Sequence, residues 1–268
     1  MIFRKAIRNL VHKLLLPRGR QYTTEVHLEK GWTKYTIEKN KKKLCILQNK
    51  AEGTTKGIIV LAHPYLADAK KYFLKNGHAK MYIENGYDTV IFDFNGFGES
   101  PFINFSYDED LKMVAEHIKK TNPDLPVFGH GISFGASHTI TYASCQNNVF
   151  NKIIIENCLD SNLSYYRKRN KNLHFLMLGL MKIFPNVNKN HNYINTIKHL
   201  KKISNVLFIY NSEDDLTTIA MGEQLHQNCS IPCSLEIFSG KHLGAFQNNK
   251  KRYAEVISSF LDDFKIKR

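Results

Sequence analysis

Gly129-His130-Gly131-Ile132-Ser133-Phe134-Gly135-Ala136 lies where a short apolar run, Pro126-Val127-Phe128, gives way to small, helix-compatible residues. A serine at such a strand-to-helix junction is turned out of the sheet. Its hydroxyl then faces solvent and the positive end of the helix that follows. Glycines at 131 and 135 suit the turn, because a Cβ there would meet the neighbouring strand or helix. The pentapeptide Gly131–Gly135 also arises by chance. Its meaning therefore depends on whether the rest of the chain supplies a base, an acid and hydrogen-bond donors in the right order.

Outward from this stretch, apolar strands alternate with amphipathic helices. Gly57–Ala62 is a near-continuous apolar run, as in strands buried on both faces. A helix over Ala69–Asn85 leads to strand Thr89–Phe94, and helix Asp108–Lys120 leads to strand Pro126–Gly129. Helix Phe134–Cys145 leads to strand Lys152–Glu156. Strand Val206–Tyr210, helix Ile219–Asn228, strand Ser234–Phe238 and helix Arg252–Phe264 complete the pattern. Three earlier strand-like runs, Glu25–Glu29, Lys34–Glu38 and Lys43–Leu47, read as an antiparallel entry to the sheet. The expectation is one α/β domain over residues 21–268, with a mostly parallel sheet covered by helices on both faces. Residues 160–203 interrupt the rhythm after the strand at 152–156. An insertion there sits over the carboxyl edge of the sheet, where ligands bind in open α/β folds, so it reads as a short cap. Its apolar piece, Leu173–Phe184, either lines a pocket or packs on the core.

Composition narrows the function. The chain has 268 residues, 43% hydrophobic and 23% charged, as in an ordinary globular domain. No run approaches the roughly 20 apolar residues that span a bilayer, and the start Met1-Ile2-Phe3-Arg4-Lys5 has no signal-peptide pattern. Five cysteines without zinc-type spacing read as free thiols in a cytoplasmic protein. The net charge of +14 is spread over runs such as Asn40–Lys43 and Lys168–Lys171 without any nucleic-acid-binding motif, so no nucleic-acid partner is expected. Residues 1–20 stand apart. Over residues 2–15 the apolar Ile2, Phe3, Ala6, Ile7, Leu10, Val11, Leu14 and Leu15 share one helical face, and Arg4, Lys5, Arg8, His12 and Lys13 share the other. This amphipathic helix either docks on the domain or makes peripheral contact with anionic membrane.

Ordered local patterns at predicted strand ends make the chain resemble the α/β-hydrolase superfamily from residue 25 onward. His63-Pro64-Tyr65 follows the strand at 57–62, where the family carries its oxyanion segment. Asp93–Ser100 looks like its Asp-x-x-Gly-x-Gly-x-Ser loop. Gly131–Gly135 looks like its nucleophile elbow, Asn211-Ser212-Glu213-Asp214 like its acid loop, and Gly240-Lys241-His242 like its histidine loop.

The resemblance implies Ser133 as nucleophile, His242 as base and Asp214 as the acid that orients it. Asp214 is favoured by spacing, with Asp215 and Asp160 left open. The backbone N–H groups of Phe134 and Tyr65 would form the oxyanion hole, although Pro64 replaces the family's usual glycine and cannot donate. His63, His130 and His138 read as structural. Gly96 and Gly98 make a tight loop rather than a phosphate cradle, since position 101 is Pro. No metal or organic cofactor is implied. The implied activity is hydrolysis of a small carboxylic ester or thioester through an acyl-enzyme. The alternatives are a peptidase or acyltransferase using the same residues, or a non-catalytic membrane-associated protein on this scaffold.

Overall fold

The computed structural model describes residues 28, 30–183 and 191–262. The amphipathic helix expected over 2–15 lies outside the described residues, as does the run Glu25–Glu29 apart from Leu28.

The chain enters the sheet through a hairpin of β1 (Thr33–Lys39) and β2 (Lys42–Asn49). Asn40 and Lys41 link them with φ of 50° and 68°, as a two-residue turn matching the strand twist requires. β3 (Ile58–Ala62), β4 (Asp88–Phe92), β5 (Val127–Ile132), β6 (Lys152–Glu156), β7 (Asn205–Asn211) and β8 (Cys233–Phe238) follow. The eight strands lie in the order β1-β2-β4-β3-β5-β6-β7-β8. β2 pairs antiparallel with β1 and β4, and every later pairing is parallel.

Alternation along the strands builds two cores. Ile58, Val60, Ala62, Ile153, Ile155, Val206 and Phe208 face one side. Ile59, Leu61, Ile154, Leu207 and Ile209 face the other. The first side is covered by α3 (Tyr107–Thr121), α4 (Phe134–Ala143), α7 (Tyr193–Ile197) and α8 (Ile219–Asn228). The second is covered by α1 (Lys71–Asn76), α2 (His78–Glu84), α9 (Ala245–Asn248) and α10 (Lys250–Asp262). Strands buried on both faces explain the unbroken apolar runs in the sequence.

Two expectations need correction. The single helix expected over Ala69–Asn85 is two helices, because Gly77 takes φ 85° and donates its N–H to Leu74 O. That left-handed cap ends α1, and α2 starts afresh at His78. The strand expected to reach Phe94 ends at Phe92, because Asp93 turns into a buried ion cluster. Its carboxylate accepts from the Lys70 backbone N–H at 3.1 Å, from the Lys70 ammonium and from Glu99 N at 3.0 Å. Lys70 is 1% exposed and also reaches Glu99 Oε2 at 2.9 Å. Lys70→Ala would leave the Asp93 carboxylate buried without its counter-charge. We expect a loss of about 3–5 kcal/mol in urea unfolding; a loss below about 1 kcal/mol would show that the cluster is not held by its charges.

The interruption at 160–203 contains α5 (Asn162–Arg169) and α6 (Lys171–Ile183) before α7. Ser161 caps α5 by accepting from Ser164 N at 3.2 Å. A bridge between Ser161 and Asn192 brings the two ends of the excursion together. Beyond it, Tyr193, Ile197, Leu200 and Ile203 are core residues packed with the body of the domain.

Candidate active site

Ser133 stands between the end of β5 and the start of α4 at φ 52° and ψ −108°. Such a backbone is sparsely populated for a residue with a side chain. It is held from both sides: Ser133 N donates to Glu156 O on β6 at 2.8 Å, and Thr139 Oγ1 donates to Gly135 O at 2.8 Å. A Cβ on Gly135 would lie 1.9 Å from Ala62 O on β3, so helix and strand can approach this closely only with glycine there. Gly135→Val should therefore cost at least about 3 kcal/mol, since the obstacle is backbone that cannot swing away. Thermal melting checks it; an unchanged midpoint would mean α4 can slide off β3.

His242 lies on the loop between β8 and α9. Its Nε2 is 3.1 Å from Ser133 Oγ and its Nδ1 is 2.6 Å from Asp214 Oδ2. The loop is stitched to the one carrying Asp214. Ser212 N donates to Phe238 O at 2.8 Å, Glu213 N donates to Gly240 O at 3.0 Å, and Asn211 Nδ2 donates to Lys241 O. The two side chains are thus set by neighbouring parallel strands, β7 and β8, rather than by free loops.

Of the three carboxylates left open by the sequence, Asp214 meets His242. It is buried, and Asp215 is exposed with its carbonyl accepting from Lys168 Nζ at 2.9 Å. Asp160 instead receives Tyr193 N on its carbonyl at 2.9 Å and lies beside Ser161. Asp214 Oδ1 accepts from Leu216 N at 2.7 Å and Thr217 N at 2.9 Å. Its Oδ2 accepts from Asn157 Nδ2 at 2.6 Å and from the Thr217 hydroxyl. Burial pushes the carboxyl's pKa up, but His242 and the Thr217 donors outweigh it and hold the group at about 2, below its ordinary 3.8. A depressed folded pKa gives stability that is complete above the ordinary value and lost as pH falls through about 2. Acid melts of Asp214→Asn should lack this part of the pH dependence; parallel curves for both proteins would remove Asp214 from the acid limb.

Asn157 and Thr217 are functional neighbours that sequence reasoning missed. The Asp-x-x-Thr spacing of Asp214 and Thr217, in which a carboxylate accepts N–H groups two and three residues on, is a local signal that could have revealed Thr217. Asn157, at φ 51° just past β6, carries no such signal.

On the other side of the serine, Phe134 opens α4 and its ring meets the Tyr65 ring edge-on at 5.3 Å. Tyr65 follows His63 and Pro64 beyond β3. His63 is wholly buried: Nδ1 lies 2.8 Å from Pro64 O, and Nε2 accepts from Phe94 N at 3.2 Å. Burial lowers its pKa to about 4, so it is a neutral ring with both nitrogens engaged. His130 contacts Tyr82 OH at 2.9 Å and Glu156 at 3.3 Å inside the second core. His138 packs on Phe134 at 4.5 Å. Neither reaches Ser133 Oγ in the hydrogen bonds of the site. Cys45, Asp93 and Glu99 place metal-ligand atoms within 4.8 Å of one another. The Lys70 ammonium already bonds both carboxylates there, so a cation is built into the cluster covalently.

Strand order, a serine at a strained strand-to-helix turn and a histidine and aspartate from the last two strands define an α/β-hydrolase. Residues 53–196 match the family described as serine aminopeptidase, S33, and the chain belongs to that family. No curated protein sequence matches the chain. Among solved structures it is similar to an esterase of Pyrococcus furiosus, at 15% identity and a TM-score of 0.71, covering 93% of this chain and 96% of that one. An α/β serine hydrolase without lid from Xanthomonas campestris is similar at 14% identity and a TM-score of 0.65, over 91% and 100% of the two chains. A carboxyl esterase of Bacillus coagulans gives 14% identity and a TM-score of 0.65, over 88% and 99%. At these identities the likeness is one of fold.

Proposed function

We propose that the protein hydrolyses a carboxylic ester or thioester of modest size through an acyl-enzyme on Ser133. The observation that carries this reading is the continuous chain Ser133 Oγ–His242 Nε2–His242 Nδ1–Asp214 Oδ2, with steps of 3.1 and 2.6 Å. His242 takes the hydroxyl proton as Ser133 Oγ attacks the acyl carbon, and the ionised Asp214 steadies the imidazolium that forms. The backbone N–H of Phe134 and that of Tyr65 stabilise the oxyanion. The imidazolium then gives its proton to the leaving alcohol or thiol. Water, deprotonated by His242, attacks the acyl-serine and releases the acid, restoring the serine proton.

The similar structures include an esterase and a carboxyl esterase, which supports the ester reading. The family description, serine aminopeptidase, favours a second one: cleavage of a peptide amide by the same three residues. Intact-mass analysis after treatment with a fluorophosphonate tests the nucleophile. We expect one adduct on the native protein and none on Ser133→Ala. A native protein that stays unlabelled would sink catalysis by Ser133. Parallel rates on p-nitrophenyl acyl esters, acyl thioesters and aminoacyl anilides then separate the readings, and turnover of the anilides alone would transfer the assignment to the peptidase.

A further inference from the structure

The large apolar side chains exposed among the described residues are Tyr65, Leu66, Phe105, Phe175 and Leu176. All leave the same edge of the sheet. Tyr65 and Leu66 follow β3, Phe105 follows β4, and Phe175 and Leu176 belong to the excursion after β6. Ser133, Asp214 and His242 leave that edge too, after β5, β7 and β8. Single exposed apolar residues scattered over a surface carry no message, whereas several borne by segments that leave one sheet edge point to a contact surface there.

Helix α6 gives the cluster its character. Asn172, Phe175, Leu176, Gly179 and Lys182 are all exposed, and their spacing puts them on one helical face. Phe175 is 69% exposed and Leu176 58%, the largest values in the cluster. Arg167, Lys168, Lys171 and Lys182 are exposed on the same excursion, and Asp160 is the sole carboxylate between residues 160 and 183. The excursion is fastened to the site itself, because Lys168 Nζ donates to the carbonyl of Asp215, the residue after the His242 partner.

We propose that this edge docks on an anionic phospholipid surface, so that the ester reaching Ser133 is an acyl lipid drawn from the membrane; the substrate class rests on the ester-hydrolase reading above. Charge selects the occupant. A second copy of the chain would bring the same cations face to face, at a net charge of +14 each. The N-terminal segment, residues 1–20, holds no carboxylate to meet Arg167, Lys168, Lys171 and Lys182. Anionic headgroups complement the lysines, while Phe175 and Leu176 enter the boundary between headgroups and acyl chains.

Phe175→Trp in the full chain reports on this face directly, since Trp32 is the only native tryptophan. The vesicles hold phosphatidylcholine and phosphatidylglycerol in equal parts, with or without brominated acyl chains. The introduced indole should shift to the blue and be quenched by the brominated lipid, and do so far less with pure phosphatidylcholine. An indole that keeps its aqueous emission overturns the proposal, whether or not the protein co-sediments. Phe175→Ser with Leu176→Ser should lower vesicle partitioning by about tenfold or more. Lys171→Gln with Lys182→Gln should lower it about fivefold per charge removed. Each variant is first shown by melting to be folded, and partitioning equal to the wild type in the serine pair also overturns docking. Fluorophosphonate labelling of the wild type separates the two claims. Labelling without docking strikes the membrane proposal; docking without labelling strikes the ester reading and the acyl-lipid substrate with it, and leaves the docking surface standing.

Discussion

Ser133→Ala should leave the protein folded and lower kcat/KM on the proposed ester substrate by about 10^4- to 10^6-fold. The variant keeps His242 and Asp214, so it retains the base but has nothing for the base to activate. Residual rate would come from the oxyanion donors and substrate binding alone. Because the Ser133 backbone sits at φ 52°, alanine keeps the strain of the turn while glycine relieves it. Ser133→Gly should therefore be as inactive as the alanine variant and yet unfold at higher urea, by about 1 kcal/mol once glycine's extra chain entropy is deducted. Steady-state kinetics and urea melts on the pair give both numbers. A Ser133→Ala enzyme that kept more than about a hundredth of its activity would place the nucleophile elsewhere.

Asp214→Asn is expected to lower kcat by about 10^3- to 10^4-fold, and Asp215→Asn to change it by less than about twofold. The contrast between adjacent residues follows from their surroundings. Asp214 accepts from Asn157, Thr217, Leu216 and His242, so every lone pair it offers is used. An amide there must turn either its oxygen or its NH2 toward His242 Nδ1. With NH2 inward, the ring is forced into the tautomer that cannot accept the serine proton. With oxygen inward, the negative charge that steadies the imidazolium is gone. Asp215 is exposed, and its backbone carbonyl accepts from Lys168 Nζ. Comparable losses in both variants would mean that the loop, not one carboxylate, orients the histidine.

Those two aspartates also mark how far the sequence can be read. The doubly buried strands announced themselves, because Ile58–Ala62 and Lys152–Glu156 have no face on which water selects polar residues. The serine turn was legible from its glycines, since close approach to Ala62 excludes every other side chain at 135. The division of the 69–85 segment was not. Its apolar spacing continues in phase across Gly77, and only the φ of that glycine breaks the helix. Asn157 was invisible because its contact with Asp214 spans 57 residues between strand ends, a proximity made by sheet order and not by any local pattern. The extent of the excursion was likewise obscured. Tyr193 and Ile197 belong to the core, but nothing near them in sequence distinguishes an apolar cap from an apolar anchor.

The chain order of the three groups has a consequence for biosynthesis. Ser133 and His242 are 109 residues apart, and the strands flanking the serine turn, β3 and β6, are both translated well before β8. A chain synthesised through β6 contains the residues that hold the Ser133 turn, among them Ala62, Thr139 and Glu156, but neither His242 nor Asp214. With His242 as the proposed base, any product of interrupted translation that stops short of residue 242 carries the serine without the group that would deprotonate it.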